Sequence, residues 1–305
     1  MADRILLTGA SGFIGGYLLS NENVIRCVVR GDELIRNKEN FIIDGLTRTT
    51  DWSGAFDNID VVIHLAGLAH NQDYSSEELN EINCDSVLHL ASSALSNGVK
   101  RFVFVSSIGV NGTSTNAELF AANSIPNPHN AYAHSKYNAE LGLKKIAEAS
   151  ALEVVIVRPT LVYGPNAPGN FRLLTKLVKT SPMLPFGLSK NKRDFIAVQN
   201  LADLLITCAI HPNAAGHTFL ASDMETVSLR EFTNYIAGGL GKKVFQFPVP
   251  IKFMRFIGKL FGKSAMIEQL VGNLQVDSSN IKEVLNWTPP LTIKQAMAAL
   301  RDSGK

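Results

Sequence analysis

Residues 4–19 constrain the fold more than any other stretch of the chain. Arg4-Ile5-Leu6-Leu7 is a short apolar run with strand character. It passes directly into Thr8-Gly9-Ala10-Ser11-Gly12-Phe13-Ile14-Gly15, and Gly16-Tyr17-Leu18-Leu19 then begins a helical pattern. A strand that turns on glycines into a helix sets backbone N–H groups where they can cradle a pyrophosphate. Gly9 would make the tight turn and Gly12 would let the backbone approach the phosphates. Gly15 would let helix and strand pack closely. The spacing is G-x-x-G-x-x-G rather than G-x-G-x-x-G, so an ordinary glycine turn is the plain alternative. Its place at the head of an alternating chain favours phosphate binding.

That alternation runs on. Strand-like segments are expected at Ile5–Leu7, Val24–Val29, Val61–Leu65, Arg101–Val105 and Val154–Val157, with helical patterns between most of them. Such an order predicts an α/β fold, a Rossmann-type doubly wound parallel sheet with a smaller C-terminal lobe. Any ligand crevice should lie beyond the carboxyl ends of the strands. After Pro165 the pattern loosens, then returns to a helix at Asn200–Ala209 and a strand at Thr218–Leu220. The expected division is a dinucleotide-binding domain of 1–165 plus 196–222 and a substrate lobe of 166–195 plus 223–305.

The chain's 305 residues can bury a substantial core. A net charge of +2, with both signs interspersed, shows no nucleic-acid footprint. Cys27, Cys84 and Cys208 are far apart in apolar surroundings, which predicts buried thiols rather than disulfides. The seven histidines form no ligand-spaced cluster, so no metal is expected. Neither a leader pattern nor an apolar run of membrane-spanning length is seen, and a cytoplasmic location is expected.

Tyr132 and Lys136 carry the chemistry. Four residues apart is one helical turn, so the two side chains share a helix face. A phenol with an ordinary pKa of about 10 is a poor acid near neutrality, and an adjacent ammonium favours its ionised form. Solvated helix faces also produce this pair by chance, so its weight comes from its surroundings.

TGASGFIG at 8–15, HLAG at 64–67, VSSIGVNG at 105–112, YAHSK at 132–136, RPTLVYGP at 158–165 and RDFIAVQNLAD at 193–203 follow one another in order. Together they resemble the extended short-chain dehydrogenase/reductase family, in its branch of nucleotide-sugar epimerases, dehydratases and reductases. The likeness covers nearly the whole chain and is looser over the last eighty or so residues. It implies a nicotinamide dinucleotide bound along Gly9, Gly12, Phe13, Ile14 and Gly15, past Leu65, Ala66 and Gly67, and near Pro159. Asp44, next to Gly45, resembles the acid beside the adenine, and Asn83 the helix asparagine that props the site. Arg30 stands at the end of the second strand, where an acid commonly meets the adenosine ribose. A cation there suits a 2′-phosphate. Arg36 and Lys38 could assist, so NADP(H) is expected, with NAD(H) as the alternative.

The same resemblance implies that Ser107, Tyr132 and Lys136 are catalytic, with Ser106 the competing serine. Lys136 would bind the nicotinamide ribose and depress the Tyr132 pKa. Tyr132 would pass a proton to or from the sugar oxygen, and Ser107 would hydrogen-bond that oxygen. Asn170 and Phe171 resemble a loop that meets the nucleotide diphosphate, and Arg193 the arginine that grips it. The plain alternative for Arg193 is a surface ion pair with Asp194.

Four positions depart from the family pattern: Asn111 for a tyrosine, Leu161 for an asparagine, Asn200 for an aspartate, and Arg30. Asn200 is expected to cap the helix that follows it. Ile108 and Gly109 supply none of the extra acid/base groups of the family's dehydratases. Arg30 and the RPTLVYGP motif point to net reduction. The leading expectation is an NADPH-dependent reductase of the C4 ketone of a nucleotide-linked 6-deoxy amino sugar. It resembles UDP-4-keto-6-deoxy-N-acetylglucosamine 4-reductases, which make UDP-N-acetylquinovosamine for surface polysaccharide. The alternative is a UDP-hexose or UDP-N-acetylhexosamine 4-epimerase with tightly held NAD. A silent dinucleotide-sensing or scaffold protein is the third reading.

Two partner readings complete the set. The family commonly dimerises through helices of its nucleotide domain, which implies a homodimer here. Residues 248–272 interleave Phe, Ile, Leu and Met with Lys252, Arg255, Lys259 and Lys263. That stretch could touch an anionic membrane surface, or simply line the substrate lobe.

Overall fold

A computed structural model describes residues 3–31, 33–69, 74–262 and 264–304. Its strands are β1 (Ile5–Thr8), β2 (Val24–Arg30), β3 (Glu39–Ile43), β4 (Val61–His64), β5 (Arg101–Val105), β6 (Glu153–Pro159), β7 (Leu161–Tyr163), β8 (Met183–Leu184), β9 (Phe195–Ala197), β10 (Thr218–Ala221) and β11 (Phe245–Gln246). Seven of them form one parallel sheet in the order β10-β6-β5-β4-β1-β2-β3. The order reverses between β1 and β4, which opens the crevice where a doubly wound sheet binds its ligand.

The strands read as unbroken apolar runs because both faces are covered. Successive side chains point to opposite faces, so alternate residues feed two different cores. Ile5, Leu7, Ile63, Val103 and Val155 pack with Leu201, Leu205 and Cys208 of the helix Val198–Ile210. Leu6, Val62, Phe102, Phe104 and Val154 pack on the other face with Leu90 and Ala94 of the helix Ser86–Ser96. Ala139 and Leu143 of the helix Ala131–Glu148 join that second core. The three cysteines are buried and free. The chain is thus the parallel α/β fold its alternation predicts.

Sequence reading missed β3. It lies at the sheet edge with β2 as its one neighbour, and it begins with the polar pair Glu39-Asn40, so it lacks the signature of a doubly covered strand.

A third core gathers below the crevice. Tyr163, Phe171, Phe195 and Phe232 meet there, with Phe195 stacked on Phe232 at 3.8 Å and Tyr163 edge-on to it at 5.4 Å. Burying each such ring contributes about 1.5–3 kcal/mol. Two parallel ribbons, β7 with β9 and β8 with β11, frame this lobe. Asn200 is not the helix cap expected of it. It lies buried in the helix Val198–Ile210, donates to Asp223 and the Leu291 carbonyl, and accepts from the Leu291 N–H. It therefore ties sheet, lobe and C-terminal segment together. Asp223 also accepts from the Tyr163 hydroxyl at 2.7 Å, and burial raises its carboxyl to about 6.

Candidate active site

Beyond the carboxyl end of β1, Gly9 takes φ +73°, and a Cβ there would sit 2.8 Å from the Ala66 nitrogen. A Cβ on Gly15 would fall 2.1 Å from the Gly9 carbonyl oxygen. Both positions require glycine, one for conformation and one for the close approach of turn to helix. The Gly12 N–H bonds back to the Gly9 carbonyl at 3.0 Å, closing the turn. The following helix is short, Gly15–Leu18.

From this turn a cavity of about 790 Å³ runs across the sheet ends. Phe13, Ile14, Leu65, Gly67 and Pro159 line one part of it, and Ser107, Tyr132 and Lys136 another. Asn170, Phe171 and Arg193 of the lobe line it as well. The glycine turn, the Tyr-x-x-x-Lys helix and the lobe arginine, separate in sequence, therefore meet in one space.

The helix Ala131–Glu148 begins at Asn130, whose side chain accepts from the Ala133 N–H at 2.8 Å. That cap fixes the start of the helix, and Tyr132 and Lys136 lie on its first two turns. Burial pushes the Tyr132 phenol up to about 12, while a hydrogen bond with Ser107 pulls it down. Lys136 turns its ammonium to the Val105 carbonyl at 3.1 Å and over the Phe104 ring at 4.7 Å. Burial brings Lys136 down to about 8, against the opposing pull of the Glu140 charge.

Geometry also separates the two serines. Ser106 is buried and donates to Glu140 at 2.5 Å, whereas Ser107 reaches Tyr132. Glu140 holds Arg158 in a bidentate pair, and Arg158 also donates to Asn111 at 2.9 Å. So Asn111, at the family's tyrosine position, belongs to this buried network. Sequence reading passed over Glu140, although its spacing of four from Lys136 puts it on the same helix stripe.

Asn83 lies in a five-residue π-helical turn, Glu81–Asp85, of the kind found at functional sites. Its amide donates to Ser135 and the Leu68 carbonyl, and it accepts from the Leu68 N–H. It braces the β4 loop against the Tyr132 helix. A Cβ on Gly67 would sit 2.7 Å from the Asn83 oxygen, so a small residue is needed there.

Arg30 and Asp44, expected near an adenosine, are exposed at the ends of β2 and β3, and the Gly45 carbonyl accepts from Thr50. Lys38 is no helper to Arg30. Its ammonium donates to the Asn21 and Val24 carbonyls at the opposite end of β2. Sequence reading missed Glu33, whose carboxylate accepts from Ser11 of the glycine turn at 3.0 Å. A carboxylate follows β2 after all, three residues beyond Arg30.

In the lobe, Arg193 is buried rather than paired at the surface. Its guanidinium donates to the Gly272 carbonyl at 3.0 Å, and burial lowers it to about 10. Asp194 instead accepts from Thr226 and the Val276 N–H. Asn170 and Phe171 stand in the first turn of the helix Gly169–Thr180, not in a loop. The Phe171 ring joins the lobe core, and Asn170 donates to Gln269 at 3.0 Å. Among the described residues no cluster of His, Cys, Asp and Glu could hold a metal.

A glycine turn on the first strand of a parallel sheet, sharing a cavity with Ser, Tyr and Lys, defines a dinucleotide-dependent short-chain dehydrogenase architecture. Residues 5–221 match the NAD dependent epimerase/dehydratase family, and the chain belongs to that family. It is 40% identical over 309 residues to the UDP-glucose 4-epimerase of Vibrio cholerae, covering 97% of this chain and 93% of the relative. Among solved structures, UDP-glucuronic acid 4-epimerase from Bacillus cereus in complex with NAD superposes with a TM-score of 0.77 at 20% identity, covering 98% of this chain and 96% of that one. RMD from Pseudomonas aeruginosa complexed with NADPH gives 0.74 at 21%, covering 99% and 98%. Both dinucleotides therefore occur on this fold.

Proposed function

We propose that the protein is a UDP-hexose 4-epimerase that retains its dinucleotide through turnover. The observation carrying this reading is the single cavity joining the glycine turn, the Ser107–Tyr132–Lys136 group and Arg193. The 40% identity to an epimerase along nearly the whole chain supports it over the reductase reading.

The residues suit a dinucleotide. The turn's close-packed glycines would let backbone approach a phosphate with no Cβ in the way, and Gly67 fits against Asn83 where a larger residue would not. Phe13, Ile14, Leu65 and Pro159 would flank the cofactor, and Glu33 and Arg30 stand at its adenosine end. Glu33 suits a pair of free ribose hydroxyls and opposes a 2′-phosphate, which favours NAD; Arg30 weighs the other way. Bound there, the cofactor supplies a hydride acceptor and donor for the sugar's C4.

Tyr132 takes the proton from the C4 hydroxyl as the carbonyl forms and returns it as the carbonyl is reduced. Ser107 donates to that oxygen in both directions. Lys136 keeps a positive charge beneath the site near neutral pH, about one unit below its pKa at pH 7. Arg193 and Asn170 grip the diphosphate, leaving the sugar free to turn its other face.

The test is an anaerobic incubation of purified protein with UDP-glucose or UDP-N-acetylglucosamine, followed by NMR and by absorbance at 340 nm. The C4 epimer should form without net absorbance change, and Tyr132→Phe should slow it by about 10³-fold or more. Oxidation of added NADPH by UDP-4-keto-6-deoxy-N-acetylglucosamine, without epimer from either sugar, would restore the ketoreductase reading that Arg30 suggests.

A further inference from the structure

The lobe carries a surface that the cavity chemistry does not use. Residues 169–192 and 232–267 together hold eleven of the chain's 29 basic residues and none of its 27 acidic ones. The near-neutral whole thus conceals a strongly cationic lobe.

Two helices in these segments share one three-striped design. In the helix Ile251–Leu260, Met254 and Gly258 turn inward and are buried. At about 100° per residue, Lys252, Arg255 and Lys259 share a second stripe. Phe253, Phe256 and Leu260 share a third, pointing away from the lobe. Those three are 55%, 61% and 68% exposed, and Phe261 just beyond them is 68% exposed. The helix Gly169–Thr180 repeats the plan. Phe171, Leu174 and Val178 are buried, Arg172, Lys176 and Lys179 form the basic stripe, and Leu173 and Leu177 are exposed. Phe245 and Met183 stand opposite each other in the β8–β11 ribbon, 61% and 53% exposed. Lys263 lies outside the described residues.

Large apolar side chains left in water beside Lys252 and Lys259, with Arg255 the one cation of the stripe paired to an acid among the described residues, suit a partner that is both apolar and anionic. Protein interfaces favour aromatic residues but are depleted in lysine. This surface sets lysines beside its phenylalanines. A helix with Lys/Arg on one stripe and Phe/Leu on the next matches the boundary between headgroups and acyl chains. No described helix is long and apolar enough to cross a membrane, so contact would be at the surface.

We propose that this face docks on an anionic phospholipid bilayer, with Phe253, Phe256, Leu260 and Phe261 entering the acyl boundary and Lys252, Arg255 and Lys259 meeting the headgroups. The docking helix is one layer from the cavity. Arg255 pairs with Glu268 at 2.6 Å, and the helix bearing Glu268 presents Gln269 to the cavity wall. Docking would therefore hold the Gln269 wall of the cavity close to the headgroup layer. The expected contact is independent of which sugar the cavity turns over.

Flotation of the full-length protein with sized vesicles tests this. Vesicles with about 30% phosphatidylglycerol should carry the protein, pure phosphatidylcholine should not, and 0.5 M salt should release most of it. Phe253→Ser/Phe256→Ser should lower partitioning by about tenfold or more, and each lysine-to-glutamine change at 252 and 259 by about fivefold. These residues are exposed, so sugar turnover and melting temperature should stay at wild-type values and report intact folding. No flotation with anionic vesicles at low salt overturns the proposal, as does flotation unchanged in the double phenylalanine variant. Sedimentation showing a dimer that this double variant dissociates, with no vesicle binding, would assign the face to a second copy instead.

Discussion

The two halves of the molecule line the cavity by different means. The sheet half offers backbone: a glycine turn whose close approaches exclude any Cβ, set at the end of a strand buried on both faces. The lobe offers side chains from pieces far apart in sequence, Asn170, Arg193 and Gln269, assembled on an aromatic core. Backbone recognition fixes residue types in one short window and tolerates little change. Side-chain recognition distributes the task, so each position can vary and substrates can differ between relatives of one fold.

Gly15→Ala should break the comparison on the backbone side. The new methyl would collide with the Gly9 carbonyl, so we expect a loss of about 3 kcal/mol in stability and dinucleotide binding weakened well over tenfold. Urea unfolding and NAD titration check both. A variant that binds normally would show the turn to be an ordinary glycine bend.

The sheet half also has a pH signature opposite in sign to that of Asp223 in the lobe, whose carboxyl burial raises to about 6. His64 is wholly buried, stacked between Phe102 and Phe104, bonded to Thr8, and held down at about 3 by burial and the nearby Lys136 charge. An unfolded histidine takes up its proton near 6.5, whereas the folded one stays neutral until about 3. The stabilisation is therefore complete above pH 6.5 and lost as pH falls through that window. Between pH 7 and 5 the His64 contribution should be about 2 kcal/mol. Urea midpoints for wild type and His64→Leu should differ in that slope; equal slopes would place the acid sensitivity elsewhere.

Arg193→Lys tests the lobe with a milder effect. Charge is kept but the planar fork is lost, so KM for a UDP-sugar should rise about ten- to thirtyfold with kcat changed less. Steady-state kinetics would separate that result from a uniform loss of both, which would instead mark Arg193 as part of the lobe's packing.

Most of the sheet was legible because doubly covered strands must be apolar throughout, and β5 spans the residues its sequence predicts. The edge strand β3 was not, since one exposed face removes that signal. At the site, spacing brought out Tyr132 and Lys136 and the family resemblance brought out Ser107, and the structure gathers them around one cavity. What spacing could not supply was which group touches which. Lys136 turns to Val105, Glu33 reaches back to Ser11, and Asn200 bridges to Leu291, all through contacts between distant segments. The exposed phenylalanines of the helix Ile251–Leu260 show the same limit. An amphipathic pattern tells that a helix has two faces, not which of them the fold leaves in water.

The central claim is that hydrogen leaves C4 and returns to the same carbon. UDP-glucose deuterated at C4, incubated with enzyme and added unlabelled NADPH, tests it by mass spectrometry and NMR of the products. The account predicts a C4 epimer that keeps its deuterium while the free cofactor pool stays unlabelled. Deuterium lost from C4 and replaced by hydrogen from the added NADPH would contradict it.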